Sequence, residues 1–143
     1  KENRGDRAEL RRCQKIDEVL LTEAYHKLRK RLGAVGFTPN AEDQLGAVAG
    51  LLAHVDEHID GTGVAAQMAG GTQDEEAPLS GLRFRKLLKT ESREDLYRPL
   101  MRAVRLLGRQ VNATALASDV FYWGTSVRKR WARGYYDRAL KEV

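Results

Sequence analysis

Ser92-Arg93-Glu94-Asp95-Leu96-Tyr97-Arg98-Pro99-Leu100-Met101-Arg102-Ala103-Val104-Arg105-Leu106-Leu107-Gly108 reads as an amphipathic helix. Ser92 is a good N-cap, Glu94 and Asp95 lie in the first turn where the helix dipole favours acids, and Gly108 stands where a closing glycine belongs. At about 100° per residue, with Arg98 taken as zero, Arg102, Arg105 and Arg109 fall at roughly 40°, −20° and 20°. Leu96, Leu100, Ala103, Val104 and Leu107 fall at roughly 140° to 240°. Four arginines therefore form one stripe, directly opposite the apolar one.

The same period continues outward in both directions. Downstream, Asn112 caps a helix through Leu116, Val120 and Phe121 to Trp123-Gly124, and a last helix runs from about Thr125 to Lys141. Upstream, Ser80 caps a helix with Phe84, Leu87 and Leu88 on one side. Residues 61–79 change character: Gly61, Gly63, Gly70 and Gly71, the acidic run Asp74-Glu75-Glu76 and Pro78 read as a mobile linker, with a short helix around Val64 to Met68. In the first half, Asp6 caps a helix to about Gln14, and Asp17 opens a second that carries Leu20, Leu21, Ala24, Leu28 and Leu32, with Gly33 as its cap. Gly36-Phe37-Thr38-Pro39-Asn40 is a turn, and Leu45, Val48, Ala49, Leu51, Leu52 and Val55 build a third helix ending near Ile59.

No strand-like alternation persists anywhere, so the expected class is all-α. It is divided into two small helical-bundle subdomains, 1–60 and 80–143, joined by the Gly-rich, acidic linker. The expected core is Leu20, Leu28, Val48, Leu52, Phe84, Leu87, Leu100, Leu107, Leu116, Phe121, Trp123 and Trp131.

The charge is unevenly placed. Residues 1–77 hold 10 Lys and Arg against 14 Asp and Glu, a net −4, whereas residues 78–143 hold 15 against 6, a net +9. Such asymmetry makes polyanions the first candidate partners. No apolar run approaches the length of a membrane span and no leader opens the sequence, so a cytoplasmic protein is expected. The single cysteine, Cys13, cannot form an internal disulfide, which fits a reducing compartment.

An ordinary solvated face would also carry arginines, but this stripe contains no acid. Like charges at i, i+3 and i, i+4 repel, so it calls for a polyanion or for close acidic neighbours. The flanking helices repeat the arrangement: Arg85, Lys86 and Lys89 lie opposite Phe84, Leu87 and Leu88, and Arg130 and Arg133 lie opposite Val127, Trp131 and Tyr135. Guanidinium forks bind phosphate oxygens, and phosphate contacts give affinity without sequence information. Tyr122, Trp123, Trp131, Tyr135 and Tyr136 have the spacing of core residues more than of base-stacking platforms.

His54-Val55-Asp56-Glu57-His58 matches the H-x-x-E-H pattern of some zinc peptidases, yet a third ligand is wanting and His26 is the one remaining histidine. Gly61-Thr62-Gly63 follows no strand, which removes the dinucleotide reading. Cys13, between Arg12 and Lys15, is placed for a lowered pKa, but no histidine accompanies it as a base. No catalytic set, metal site or cofactor is expected.

Four stretches resemble, in order, the CasB family, the small subunit of the type I-E CRISPR Cascade complex. They are Gly5-Asp6-Arg7-Ala8-Glu9-Leu10-Arg11-Arg12, Val48-Ala49-Gly50-Leu51-Leu52-Ala53, Leu82-Arg83-Phe84-Arg85-Lys86-Leu87-Leu88 and Leu116-Ala117-Ser118-Asp119-Val120-Phe121-Tyr122-Trp123-Gly124. The resemblance implies a non-catalytic protein of paired helical subdomains. It would assemble beside a second copy of itself, the large subunit, the backbone subunits and crRNA, and run along target DNA to stabilise the R-loop. Carried over by position, it points to Arg11, Arg12 and Arg83. The family usually has a helix before the Gly-Asp-Arg-Ala motif, whereas Lys1-Glu2-Asn3-Arg4 stands there in this sequence, so the numbering is expected to start inside a longer protein.

Overall fold

The computed structural model describes residues 3–36, 41–70 and 76–140. The described elements run α1 (Asn3–Arg11), α2 (Ile16–Leu20), α3 (Glu23–Ala34), α4 (Glu42–Leu52), β1 (Glu57–His58), α5 (Val64–Ala69), α6 (Gly81–Leu88), α7 (Arg93–Leu106), β2 (Gln110–Val111), α8 (Ala113–Phe121) and α9 (Thr125–Ala139). The expected all-α class holds, with one addition. Where α4 stops at Leu52 instead of continuing to Ile59, the chain extends, and β1 pairs in parallel with β2, Glu57 opposite Gln110 and His58 opposite Val111.

Caps decide the helix boundaries. The hydroxyls of Ser80, Ser92 and Asn112's amide oxygen accept from the N–H groups of Arg83, Asp95 and Ala115, as the sequence indicates. The helix expected from Asp17 to Leu32 is two, because Thr22 intervenes. Its Oγ1 accepts from the Tyr25 N–H at 3.1 Å and donates to the Val19 carbonyl at 2.7 Å, closing α2 and opening α3 at one residue. Gly33 is not the cap of α3, which continues to Ala34; Gly36 supplies the positive φ of 91°. Asp6 lies within α1 and not ahead of it. The turn expected at 36–40 lies mostly outside the described residues, as does the acidic run up to Glu75.

Helix α4 lies at the centre. Leu45, Ala47, Ala49 and Leu51 are buried, and it packs on α1, α2, α7 and α8. Contact with α7 is close because α4 presents Gly50 to Tyr97: a Cβ on Gly50 would lie 1.9 Å from the Tyr97 hydroxyl oxygen. The other half of the core forms around α9. Phe84 of α6 stacks on Tyr135 with centroids 3.9 Å apart, Trp123 meets Trp131 edge to face at 5.0 Å, and the Tyr135 hydroxyl donates to the Leu79 carbonyl.

The short helix expected inside the linker is present as α5, and it is packed rather than mobile. Val64, Ala65, Met68 and Ala69 are buried, and the element lies along α9, where Gly134 leaves room for Ala65. One buried cluster extends from Cys13 and Ile16 through α4 and α5 to Trp131 and Tyr135. Of the expected core, Phe84, Leu87, Leu100, Leu116, Trp123 and Trp131 are fully buried, while Leu20, Leu28, Val48, Leu52, Leu107 and Phe121 are half-buried. Tyr25, Tyr97, Met68 and Ile16 join them.

Candidate nucleic-acid interface

A long exposed cation needs a rigid base to present it in one place. Helices α6 and α7 provide two such bases, each with its apolar side locked in the core: Phe84 and Leu87 on one, Leu96, Leu100, Ala103 and Val104 on the other. Opposite these, Arg83, Lys86, Arg102 and Arg105 are exposed. Arg83, Lys86 and Arg102 come together around one groove whose floor is Leu79, Leu87, Pro99, Ala103 and Leu106. None of the three has an ion pair among the described residues. Arg85 and Lys89, one turn apart, are exposed but do not line the groove, so the cations of α6 divide between two flanks.

The arginine stripe is shorter than its sequence suggests. Arg98 is exposed, but it lines a separate cavity with Asp17, Glu94 and Asp95, so acidic neighbours balance that end. Arg109 is not on the stripe. Helix α7 ends at Leu106, and Gly108 and Arg109 both take positive φ, 72° and 62°, which reverses the chain and cancels the helical angle assumed for Arg109. Its guanidinium turns inward, donating to the Nδ1 and the carbonyl of His54, both at 3.2 Å.

Two further candidates are committed within the fold. Arg11 donates from Nε to the Ala53 carbonyl at 2.6 Å and from its terminal nitrogen to Asp56. Arg130 reaches Oδ1 of buried Asp119 at 3.0 Å, while the other oxygen, Oδ2, accepts from Trp131 Nε1 at 2.8 Å. Asp119 thereby ties α8 to α9. The substitution Asp119→Ala strands the indole N–H of Trp131 in the core, and urea unfolding should show a loss of about 1–2 kcal/mol. Arg12 and Arg133 remain exposed and have no ion pair among the described residues.

Several functional-looking cations were not singled out from sequence. Arg93 donates to the carbonyls of Val120 and Phe121, and Arg128 to that of Leu88; both are helix-end caps. Arg7 donates to the Val55 carbonyl at 3.1 Å and to Asp56 at 2.9 Å. Lys27 and Arg31 of α3 border a groove with Arg7, Leu10, Leu28 and Leu52. The run Lys27-Leu28-Arg29-Lys30-Arg31 was the available signal, masked by the acidic average of its half.

The H-x-x-E-H residues do not share one helix face. His54 is buried beyond the end of α4, and its desolvation, with Arg105, Arg109 and Arg11 close by, pushes its pKa down to about 4. His58 lies on β1, where its Nδ1 accepts from the Ala113 N–H at 3.0 Å. Burial pushes the Cys13 thiol pKa up, with Glu18 and Glu9 adding to the shift, contrary to the lowering expected from its basic neighbours. Among the aromatics, Trp123, Trp131 and Tyr135 are core residues and Tyr122 is exposed. No described helix is long and apolar enough to cross a membrane.

The fold and this face define a helical protein whose distinguishing chemistry is the display of guanidinium and ammonium groups from a fixed scaffold. The chain belongs to the CRISPR-associated protein Cse2 family, whose model matches residues 6–136, in agreement with the CasB small-subunit resemblance of its motifs. Its fold is similar to that of a chain in the crystal structure of E. coli Cascade bound to a PAM-containing double-stranded DNA target. The TM-score is 0.78 at 17% identity, over 97% of this chain and 89% of that one. No curated protein matches the sequence.

Proposed function

We propose that this protein is a non-catalytic, cytoplasmic small subunit of a type I-E Cascade complex that holds target DNA by its phosphates and so stabilises the R-loop. Its partners would be crRNA, the large and backbone subunits and a second copy of itself, with an N-terminal helical lobe at 1–60 and a basic helical lobe at 80–143. Family membership supports the assembly, and the likeness to a chain of DNA-bound Cascade supports the partner. The observation that carries the DNA reading is the groove where Arg83, Lys86 and Arg102 meet without ion-pair partners among the described residues, with Arg105 exposed further along α7. An R-loop exchanges one duplex for another of similar stability, so a few backbone contacts suffice to tip it.

The test is DNA binding as a function of salt for the wild type and for Arg83→Ala/Lys86→Ala/Arg102→Ala/Arg105→Ala, with helicity followed by circular dichroism. The variant should stay helical, and its log–log salt slope should flatten by about one per lost phosphate contact. A second reading is favoured by Leu106, exposed on the groove floor, and by exposed Leu82 beside Arg83: an apolar and basic surface also suits an acidic protein segment. Unchanged affinity and slope in a folded variant would select that architectural reading.

A further inference from the structure

Around the end of α4, guanidinium groups converge from two directions. Arg7 and Arg11 come from α1, and Arg105 and Arg109 approach His54 from α7 and the turn after it. The anion that joins the first two is a side chain of the same protein. Asp56 Oδ1 accepts from the terminal nitrogens of both Arg7 and Arg11, and hydrogen bonds from these two arginines hold its carboxyl below the usual carboxylate range. One carboxylate oxygen shared by two guanidinium groups is the geometry that a phosphodiester oxygen would adopt there.

The two arginines do not depend on Asp56 for their position. Val55 and Ala53 hold them through their carbonyls, by Arg7 and by Arg11 Nε respectively. Asp56 itself is half-exposed, with side-chain exposure of 53%, against 44% and 32% for its partners. Exposed ion pairs contribute little, so exchange of one anion for another at this place is inexpensive.

We infer that Arg7 and Arg11 form a phosphate-binding fork that the carboxylate of Asp56 occupies until a nucleic-acid phosphate displaces it. Asp56 is thus an internal stand-in for the backbone and sets the threshold for binding at this end of the molecule. The inference deepens the DNA reading and rests on it, and it joins Arg7 to Arg11 of the same family motif through the carboxylate that holds both.

The deciding experiment titrates a fluorescent double-stranded oligonucleotide with the full chain as wild type, Asp56→Asn, and Asp56→Asn/Arg7→Ala/Arg11→Ala, at several salt concentrations. Thermal melts accompany each protein. Asp56→Asn should bind about fivefold more tightly, the scale of one exposed ion pair, with a salt slope steeper by about one to two. The triple variant should lose that gain. Wild-type binding that Asp56→Asn leaves unchanged or weakens overturns the inference and leaves the DNA reading standing. Binding absent from wild type and variant alike at low salt overturns both.

Discussion

Gly50→Ala is expected to destabilise the protein by about 2–3 kcal/mol, the upper part of the range for overpacking a well-filled core. The added methyl would lie 1.9 Å from the Tyr97 hydroxyl oxygen and 2.8 Å from the ring carbon that bears it. Tyr97 cannot move aside at low cost: it is buried on α7 between α4 and the first helices, and its ring is part of the central cluster. Either the α4–α7 separation grows and loosens both faces, or the tyrosine leaves a favoured rotamer. Equilibrium urea unfolding measures the loss. Tyr97→Phe provides the internal control. The hydroxyl has no hydrogen-bond partner among the described residues, so its removal should leave stability within about 1 kcal/mol of the wild type or raise it. In the double variant Gly50→Ala/Tyr97→Phe the penalty should shrink without vanishing, because the ring carbon remains too close. A Gly50→Ala protein as stable as the wild type would mean that the helices are not in contact at this point.

Much of this fold was legible because its signals are local. Ser80, Ser92 and Asn112 cap the helices they were assigned to, and the apolar stripes of α6 and α7 face inward as their period requires. What was not legible depends on contacts distant in sequence. Thr22 divides one apparent helix into two because its buried hydroxyl satisfies both new ends, and no periodicity reports that. The β1–β2 pair joins segments about fifty residues apart, and α5, read as linker from its glycines, is held by α9. Glycine here served close packing as well as flexibility, as Gly134 beside Ala65 illustrates.

The basic face was legible by the same rule and failed in the same manner. Helical angles placed Arg102 and Arg105 correctly, and Arg83 and Lys86 fall on a shared flank of α6 as i, i+3 neighbours. Arg109 leaves the stripe because the helix ends three residues before it. Arg11 and Arg130 were expected to reach nucleic acid, and sequence shows such a cation but not the carbonyl or carboxylate that it also holds within the fold. A guanidinium that satisfies a helix end and one that stays exposed beside a groove have the same composition; only the third dimension separates Arg93 and Arg128 from Arg83 and Arg102.

His54 should make stability depend on pH in a window where carboxylates do not. Its pKa is pushed down to about 4, first by burial and then by Arg105, Arg109 and Arg11, while in the unfolded chain it titrates at its ordinary 6.5. The unfolded state therefore binds the proton first. Above pH 6.5 both states are neutral and the stability is full; between 6.5 and 4 protonation of the unfolded chain drains it; below about 4 the loss from this group is complete. The size is up to about 3 kcal/mol, at about 1.4 kcal/mol for each tenfold change in proton affinity. Asp56 acts lower: its carboxyl is held below 3.8, so its contribution is lost only as the pH falls through that lower value. The two groups are thus separable by pH alone. Urea unfolding at pH 7.5, 6.0 and 4.5 should show the midpoint falling steadily in the wild type, with most of that fall absent from His54→Gln, whose amide can accept from Arg109 but cannot take up a proton. A wild-type midpoint that is flat over this range would place the imidazole in water and not beneath the three arginines. The same burial separates the first histidine of the zinc-peptidase pattern from the last: Nδ1 of buried His54 faces the Arg109 guanidinium, whereas His58 is exposed on β1 and its Nδ1 accepts from the Ala113 N–H.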